Sequence, residues 1–384
     1  MQKIACYVAL MWGVLSLVAC GSVEKFDPSS FDEVIYQPRY AEGFDVRRSP
    51  ESGAVLITVR NPWQGADDVE HRLLIDRKGA YRRADLGGVQ RIEGDAKRVV
   101  CFSSSYVAML AEIGSVERVV GVSGIDFITN EWVQSNRNKV GDVGYDGNTN
   151  YELLLALDPD IVLLYGISAS SAVENKLREL GIAYAYVGEY VESSPLGKAE
   201  WLVALAEIVG RREVGEEKFA QIEEQYLRAG ELIKQEVGQG ARPMVMLNTP
   251  YRDVWVVPAR NSYMVRLIED AGGVTHTIDN PSNSSQPIDM EQALLYAHES
   301  DFWLNVGGCN TLEELTRQNP KFADVAAIKQ GRVYNNTRIQ TPMGGSDFWE
   351  SGVVRPDRVL KDLCKILHPE LLTEHELFYY KQLK

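Results

Sequence analysis

Apolar residues along this chain fall into two alternating rhythms. Short continuous runs have the length of buried strands: Val99-Val100-Cys101-Phe102, Val119-Val120-Gly121-Val122, Ile161-Val162-Leu163-Leu164, Ile182 to Val187, Met244-Val245-Met246-Leu247 and Phe302-Trp303-Leu304. Between and after them lie stretches with helical spacing: Tyr106 to Ile113, Ser171 to Leu180, Lys198 to Val209, Tyr263 to Asp270, Leu312 to Gln318 and Pro356 to Leu367. Gly114, Gly181 and Gly272-Gly273 stand where three of these helices must stop. Strands alternating with helices predict mostly parallel sheets covered on both faces.

One unit of this pattern occurs twice. Asn150-Tyr151-Glu152-Leu153-Leu154-Leu155 leads to Asp160 and its apolar run, and Asp289-Met290-Glu291-Gln292-Ala293-Leu294-Leu295 leads to Asp301 and Phe302-Trp303-Leu304. Each copy reads as a capped helix, a turn and a buried strand. A repeated βα unit at half-chain spacing predicts two similar α/β lobes with a cleft between them. The intervening stretch of about 24 residues from Glu213 to Val237, with Phe219, Ile222, Tyr226 and Ile233 at helical spacing, predicts a rod of about 36 Å. The chain then divides into residues 21–30 as a tether, 31–95 as a small β-rich extension, 96–195 as the first lobe, 196–240 as a helical linker and 241–384 as the second lobe. In the extension, Phe44–Arg47 and Ala54–Val59 flank Ser49-Pro50-Glu51-Ser52-Gly53 as a hairpin, and Arg72–Ile75 is a third strand.

Composition narrows the partners. A formal charge of −14 over 384 residues excludes the basic surface that nucleic acid needs. Residues 1–20 stand apart from the fold: Lys3 precedes an apolar stretch, Ile4 to Val18, too short to span a membrane comfortably. Its end, Leu17-Val18-Ala19-Cys20, resembles the bacterial lipoprotein processing signal, which implies a lipidated Cys20 and an anchored protein on the periplasmic side of the envelope. A soluble secreted protein cut nearby is the alternative. Cys101, Cys309 and Cys364 have no metal-like spacing; Cys101 reads as a buried thiol, and one disulfide among the three is open. The histidines show no ligand spacing, so a bare metal is not expected, and His276 alone merits testing as an axial ligand to haem or cobalt. Tyr263, opening an apolar helix, reads as core.

Set in order, Arg98–Ser103, Val119–Val122, Leu157-Asp158-Pro159-Asp160-Ile161-Val162, Ala271-Gly272-Gly273, Gly331-Arg332-Val333-Tyr334 and His368-Pro369-Glu370-Leu371 resemble one family. It is the substrate-binding proteins of ATP-binding-cassette importers for ferric siderophores, haem and vitamin B12. The resemblance spans about residues 97–372. It implies two Rossmann-like lobes joined by one long rigid helix, with the small antiparallel extension outside the family's register. It also implies delivery of a small-molecule metal chelate to a permease dimer and its ATPase, and no enzymatic cofactor. Glu152 and Glu291 match the glutamates with which the family docks its permease. Without the resemblance, each is an acid placed in a helix's first turn by the helix dipole.

Ligands of open α/β lobes meet the loops leaving the carboxyl ends of strands. Those loops offer Ser103, Ser104, Ser105, Tyr106, Phe127, Tyr145 and Tyr165 in the first lobe. In the second they offer Thr249, Tyr251, Arg252, Arg338, Phe348 and Trp349. Aromatic faces suit a flat macrocycle or aryl chelate, and arginine suits carboxylate or catecholate oxygens; packing is the competing use of each ring. The segment Gly344-Gly345-Ser346-Asp347-Phe348-Trp349 reads as a loop at the cleft mouth, or else as a capped turn entering the last helix. The expected cargo is a ferric chelate, with cobalamin or haem as alternatives. A receptor without a permease is a further alternative, which the extra segment 31–95 would support. An enzyme is disfavoured: there is no Walker loop, G-x-S-x-G elbow or H-E-x-x-H helix, and nothing places a substrate between Asp347 and Glu350.

Overall fold

The computed structural model describes residues 26–145, 147–166, 172–238, 240, 242–250, 254–280 and 284–384. Cys20 with the apolar stretch before it, and Tyr251 and Arg252, lie outside the described residues.

The N-terminal segment forms a sheet in the order β1-β2-β3-β4-β5, from β1 (Glu33–Tyr36), β2 (Phe44–Arg48), β3 (Val55–Arg60), β4 (Glu70–Ile75) and β5 (Gln90–Ile92). Its pairs are antiparallel except β4 with β5, which run parallel. Alternation along β3 and β4 sorts the side chains. Val55, Ile57, Val59, Leu73 and Ile75 join the main core, whereas Leu56 and Leu74 pack outward on Phe26 and Phe31. Both faces are therefore covered.

The first lobe holds β6 (Val99–Cys101), β7 (Val119–Val122), β8 (Gly141–Asp142), β9 (Ile161–Leu164) and β10 (Tyr184–Tyr186), in the order β10-β9-β6-β7-β8 with every pair parallel. The second holds β11 (Met244–Leu247), β13 (Val274–Thr275), β15 (Phe302–Leu304), β16 (Val333–Asn335) and β17 (Lys381–Gln382), in the order β13-β11-β15-β16-β17. A separate antiparallel ribbon pairs β12 (Trp255–Val257) with β14 (Gln286–Ile288). The lobes share a four-strand topology: β10-β9-β6-β7 corresponds to β16-β15-β11-β13, while β8 beside β7 and the antiparallel β17 beside β16 have no counterpart in the other lobe.

The repeat explains this equivalence atom by atom. Asn150 and Asp289 cap their helices by accepting from Leu153 N (3.0 Å) and Gln292 N (2.8 Å). Asp160 N donates to Arg98 O at 2.9 Å while its carboxylate accepts from Arg98 N at 2.9 Å. Asp301 N likewise donates to Met244 O at 2.8 Å, and its carboxylate accepts from Met244 N at 2.8 Å. In each lobe one aspartate thus fastens the start of an incoming strand to its neighbour.

Two helices connect the lobes. Helix Arg212–Val237 has 26 residues, about 39 Å of rod. It packs on helix Pro195–Ile208 at one end and on helix Pro356–Leu367 at the other. Gly215 permits the first contact, since a Cβ there would fall 2.5 Å from the Ala206 methyl. Tyr226 Oη donates to Asp270 at 2.6 Å, tying the rod to the second lobe.

Every residue of helix Pro195–Ile208 is buried, its acids included. Glu200, fully buried, accepts from Tyr36 Oη and from the backbone N–H of Arg39, Tyr40 and Ala41, all at 2.8 Å. Glu192 accepts from Gly43 N (3.1 Å) and Trp201 Nε1 (2.9 Å), and Glu207 pairs with Arg77 (2.9 Å). The N-terminal sheet is bolted to the body through these three carboxylates. Cys101, Cys309 and Cys364 are free and buried, so no disulfide forms among them.

Candidate functional site

Because β6 to β10 are parallel, their carboxyl ends share one edge, and the loops Phe102–Ser105, Ser123–Phe127, Gly144-Tyr145, Tyr165-Gly166 and Val187–Tyr190 collect there. The second lobe's edge carries Asn248-Thr249, Asn305 and Asn335–Thr337. The lobes meet along these edges. Lys198 Nζ lies 4.8 Å from the ring centroid of Tyr263 in the second lobe and 5.7 Å from that of Tyr190. Thr129 of the first lobe donates from its N–H to Glu350 (2.7 Å) and from its hydroxyl to Asp347 (3.0 Å). Gly345 presses on the Phe127 carbonyl so closely that a Cβ would fall 1.9 Å from its oxygen. Beside this contact lies a groove of about 390 Å³, walled by Asp126, Ile128, Thr129 and Arg137 on one side and Ile339 to Met343 on the other.

The floor of the junction is polar and buried. Ser105 Oγ donates to Glu189 Oε1 at 2.7 Å, and Ser103 Oγ lies 2.8 Å from Ser105 Oγ. Lys198 Nζ donates to the Glu189 carbonyl at 2.7 Å, and burial pulls its pKa down against the opposing charges of Glu189 and Glu192. Among the described residues, the buried Glu189 Oε2, Ser262 Oγ and Thr337 Oγ1 near this junction lack a hydrogen-bond partner, while the Tyr380 hydroxyl and the Asn305 side chain lie against each other. Each such atom costs about 1–3 kcal/mol when left unpaired, so these oxygens are available to hydrogen-bond a bound molecule or water.

The rim is aromatic. Phe127 (38 % exposed), Tyr145 (49 %), Tyr190 (62 %) and Trp349 (48 %) are the strongly exposed aromatic side chains among the described residues, and all four stand on loops at these strand ends. Phe127 and Tyr145 form an edge-to-face pair with centroids 6.0 Å apart.

The residues named from sequence are distributed as follows. Ser103, Ser104, Tyr165 and Thr249 are half-buried at the strand ends, and Arg338 is exposed beside them. Ser105 is buried on Glu189. Tyr106 is fully buried, its hydroxyl donating to Val187 O at 3.1 Å, so it faces the lobe's interior. Phe348 is buried against Tyr380 (5.5 Å) while Trp349 projects outward. Residues Asp347–Trp349 form a short 3-10 turn capped by Ser346, whose Oγ accepts from Phe348 N at 3.3 Å; the turn therefore is both capped and at the cleft. Tyr263 is half-buried, packed against the main core as its helix position predicts, with Lys198 over its ring. His276 stacks on Tyr296 (3.8 Å, 7°), away from these loops. Among the described residues no three His, Cys, Asp or Glu side chains converge as a metal site. Glu152 and Glu291 are exposed on the first turns of the two equivalent helices.

Glu189, Lys198, Tyr190 and Tyr380 escaped sequence reasoning. A signal existed for two of them: Glu189-Tyr190 directly follows the strand ending at Val187, and Lys198 interrupts an otherwise apolar helical start.

A sequence model of the periplasmic binding protein family matches residues 99–337. An uncharacterized lipoprotein of Methanocaldococcus jannaschii is 25% identical over 367 residues, covering 89% of this chain and 84% of its own length. That share exceeds what the two lobes and linker alone supply, so the likeness reaches into the N-terminal sheet. A periplasmic haem-binding protein from Pseudomonas aeruginosa superposes with a TM-score of 0.58 at 18% identity, covering 75% of this chain and 98% of that one. The periplasmic vitamin B12-binding protein of Vibrio cholerae gives 0.51 at 14%, covering 73% and 99%. These two likenesses show the fold.

Proposed function

The chain belongs to the periplasmic binding protein family, and from that premise we propose that it captures a ferric chelate of siderophore type between its lobes and delivers it to an ATP-binding-cassette permease. The observation that carries this reading is the aromatic rim. Exposed large apolar side chains are costly unless a partner covers them, and here the strongly exposed rings cluster on one edge of two facing lobes. Ring faces cover an aryl chelate or a flat macrocycle, and the unpartnered oxygens of the floor accept its polar periphery. Binding rather than catalysis is the chemistry of this set. The buried Glu189 and Lys198 are each held in place, by the Ser105 hydroxyl and by the Glu189 carbonyl.

Cobalamin or haem is the second reading, favoured by the same rim because a tetrapyrrole presents a larger flat face than most chelates. The lipid on Cys20 would hold the protein at the membrane surface; among the described residues no helix is long and apolar enough to cross a membrane. Glu152 and Glu291 would engage the permease, one from each lobe.

The test is native mass spectrometry of the protein after incubation with a mixture of haem, cobalamin and ferric siderophores. One ferric siderophore retained per chain is expected, and its loss in a Tyr190→Ala, Trp349→Ala double variant would locate it at the rim. Retention of haem or cobalamin instead replaces the cargo, and retention of none of the three overturns the reading.

A further inference from the structure

A cavity of about 310 Å³ lies away from the lobe junction, between the N-terminal sheet and the edge strand β10. Ile57 and Leu73 of the sheet form one wall, Trp201 and Leu205 of the buried helix the second, and Tyr186 of β10 the third. His71 projects from the same sheet face, its ring 4.6 Å from Tyr186 and 5.8 Å from Trp63. Its Nε2 is buried and has no hydrogen-bond partner. The neighbouring phenols are committed elsewhere: Tyr184 Oη and Tyr186 Oη donate to Glu174 at 2.8 and 2.7 Å, and Arg178 pairs with the same carboxylate. The cavity thus combines apolar and aromatic walls and one unsatisfied imidazole nitrogen with a polar side formed by Glu70, Arg72, Gln90 and Arg178.

Size and polarity together define the guest. A dry apolar cavity of about 150 Å³ accommodates benzene, so this one has room for a second ring. An ionic guest is disfavoured, because the charges that also line the cavity are already paired within the chain, Glu70 with Arg72 and Arg178 with Glu174, and leave a buried charge no free partner. Burial also lowers the pKa of His71, which keeps the ring neutral near pH 7.

We propose that this cavity binds a planar, uncharged aromatic molecule of one or two fused rings carrying a single hydroxyl or ring N–H, which packs on Tyr186 and Trp201 and hydrogen-bonds His71 Nε2. The site is formed only where the N-terminal sheet meets the first lobe, and it contains none of the exposed rings of the rim, sharing only Val187 with the loops at the lobe junction.

The experiment titrates the full chain with 2-naphthol and with naphthalene, by calorimetry and by saturation-transfer NMR. One 2-naphthol per chain is expected. Ala204→Phe, which fills the cavity, abolishes saturable binding. His71→Phe keeps the ring contacts but removes the nitrogen, and weakens 2-naphthol about fivefold, the worth of one neutral hydrogen bond, while naphthalene changes less than about twofold. The proposal is overturned by a wild-type chain that shows no saturable binding. It is equally overturned by undiminished binding in an Ala204→Phe variant that melts like the wild type, or by a His71→Phe variant that treats both probes alike. Should Ala204→Phe fail to fold, the His71→Phe comparison decides.

Discussion

Glu350 is almost fully buried between the lobes, where it accepts from Thr129 N at 2.7 Å. Burial raises its pKa to about 7 from an ordinary 4.5, aided by the negative charge of Asp347 and opposed by the bond from Thr129. The folded state therefore keeps a proton that the unfolded chain releases. Stability associated with the protonated form is complete below pH of about 4.5 and is lost as pH rises to about 7, by up to about 3 kcal/mol. Glu350→Gln should flatten the melting temperature across that window, because the amide accepts from Thr129 without a charge; a wild-type slope that survives the substitution refutes the assignment. Single residues of the junction were legible in the sequence only where they sat in strand-end loops, as Ser103, Phe127 and Trp349 do. Lys198 and Tyr263 were not. Each lies in a helix whose periodicity marks it as packing, and only the crossing of that helix with the opposite lobe turns it toward the site.

At the scale of elements, the strand runs and helix stops were readable because the lobes' parallel strands are buried on both faces and so appear as unbroken apolar words. Helices Tyr263–Asp270 and Leu312–Gln318 have the bounds their spacing predicts. The short strands β1, β5, β8 and β17 were invisible, since two to four residues carry no period. The larger surprise is helix Pro195–Ile208, whose two acids are both buried beneath the N-terminal sheet. That sheet is consequently a structural member and not an appendage. Glu200→Ala should cost about 3–5 kcal/mol, because it strands three backbone N–H groups and the Tyr36 hydroxyl at once. Urea unfolding measures this, and a loss below about 1 kcal/mol would show that water replaces the carboxylate.

For the whole molecule, the common topology of the lobes places Glu152 and Glu291 on corresponding first turns, each exposed and each preceded by a capping side chain. Local physics explains an acid at either place by the helix dipole; permease docking is a claim about the pair. Replacing both with lysine should leave chelate affinity within about twofold, since neither borders the rim, while abolishing uptake in cells through the lost permease contact. Unimpaired uptake would leave the dipole as the whole explanation. The two-lobed plan was legible because its repeat spans strand, turn and helix, whereas the cargo was not, because recognition depends on which loops face one another across the gap. The three carboxylates that grip the N-terminal sheet also have a diagnostic use. In any sequence of this plan, acids at the places of Glu200 and Glu207 on helix Pro195–Ile208, and of Glu192 in the turn before it, announce a sheet lying over that helix, and apolar residues there announce a bare one. Whether a distant homologue has lost its extra sheet can thus be read from the helix the sheet would cover, even where the sheet's own short strands have diverged past recognition.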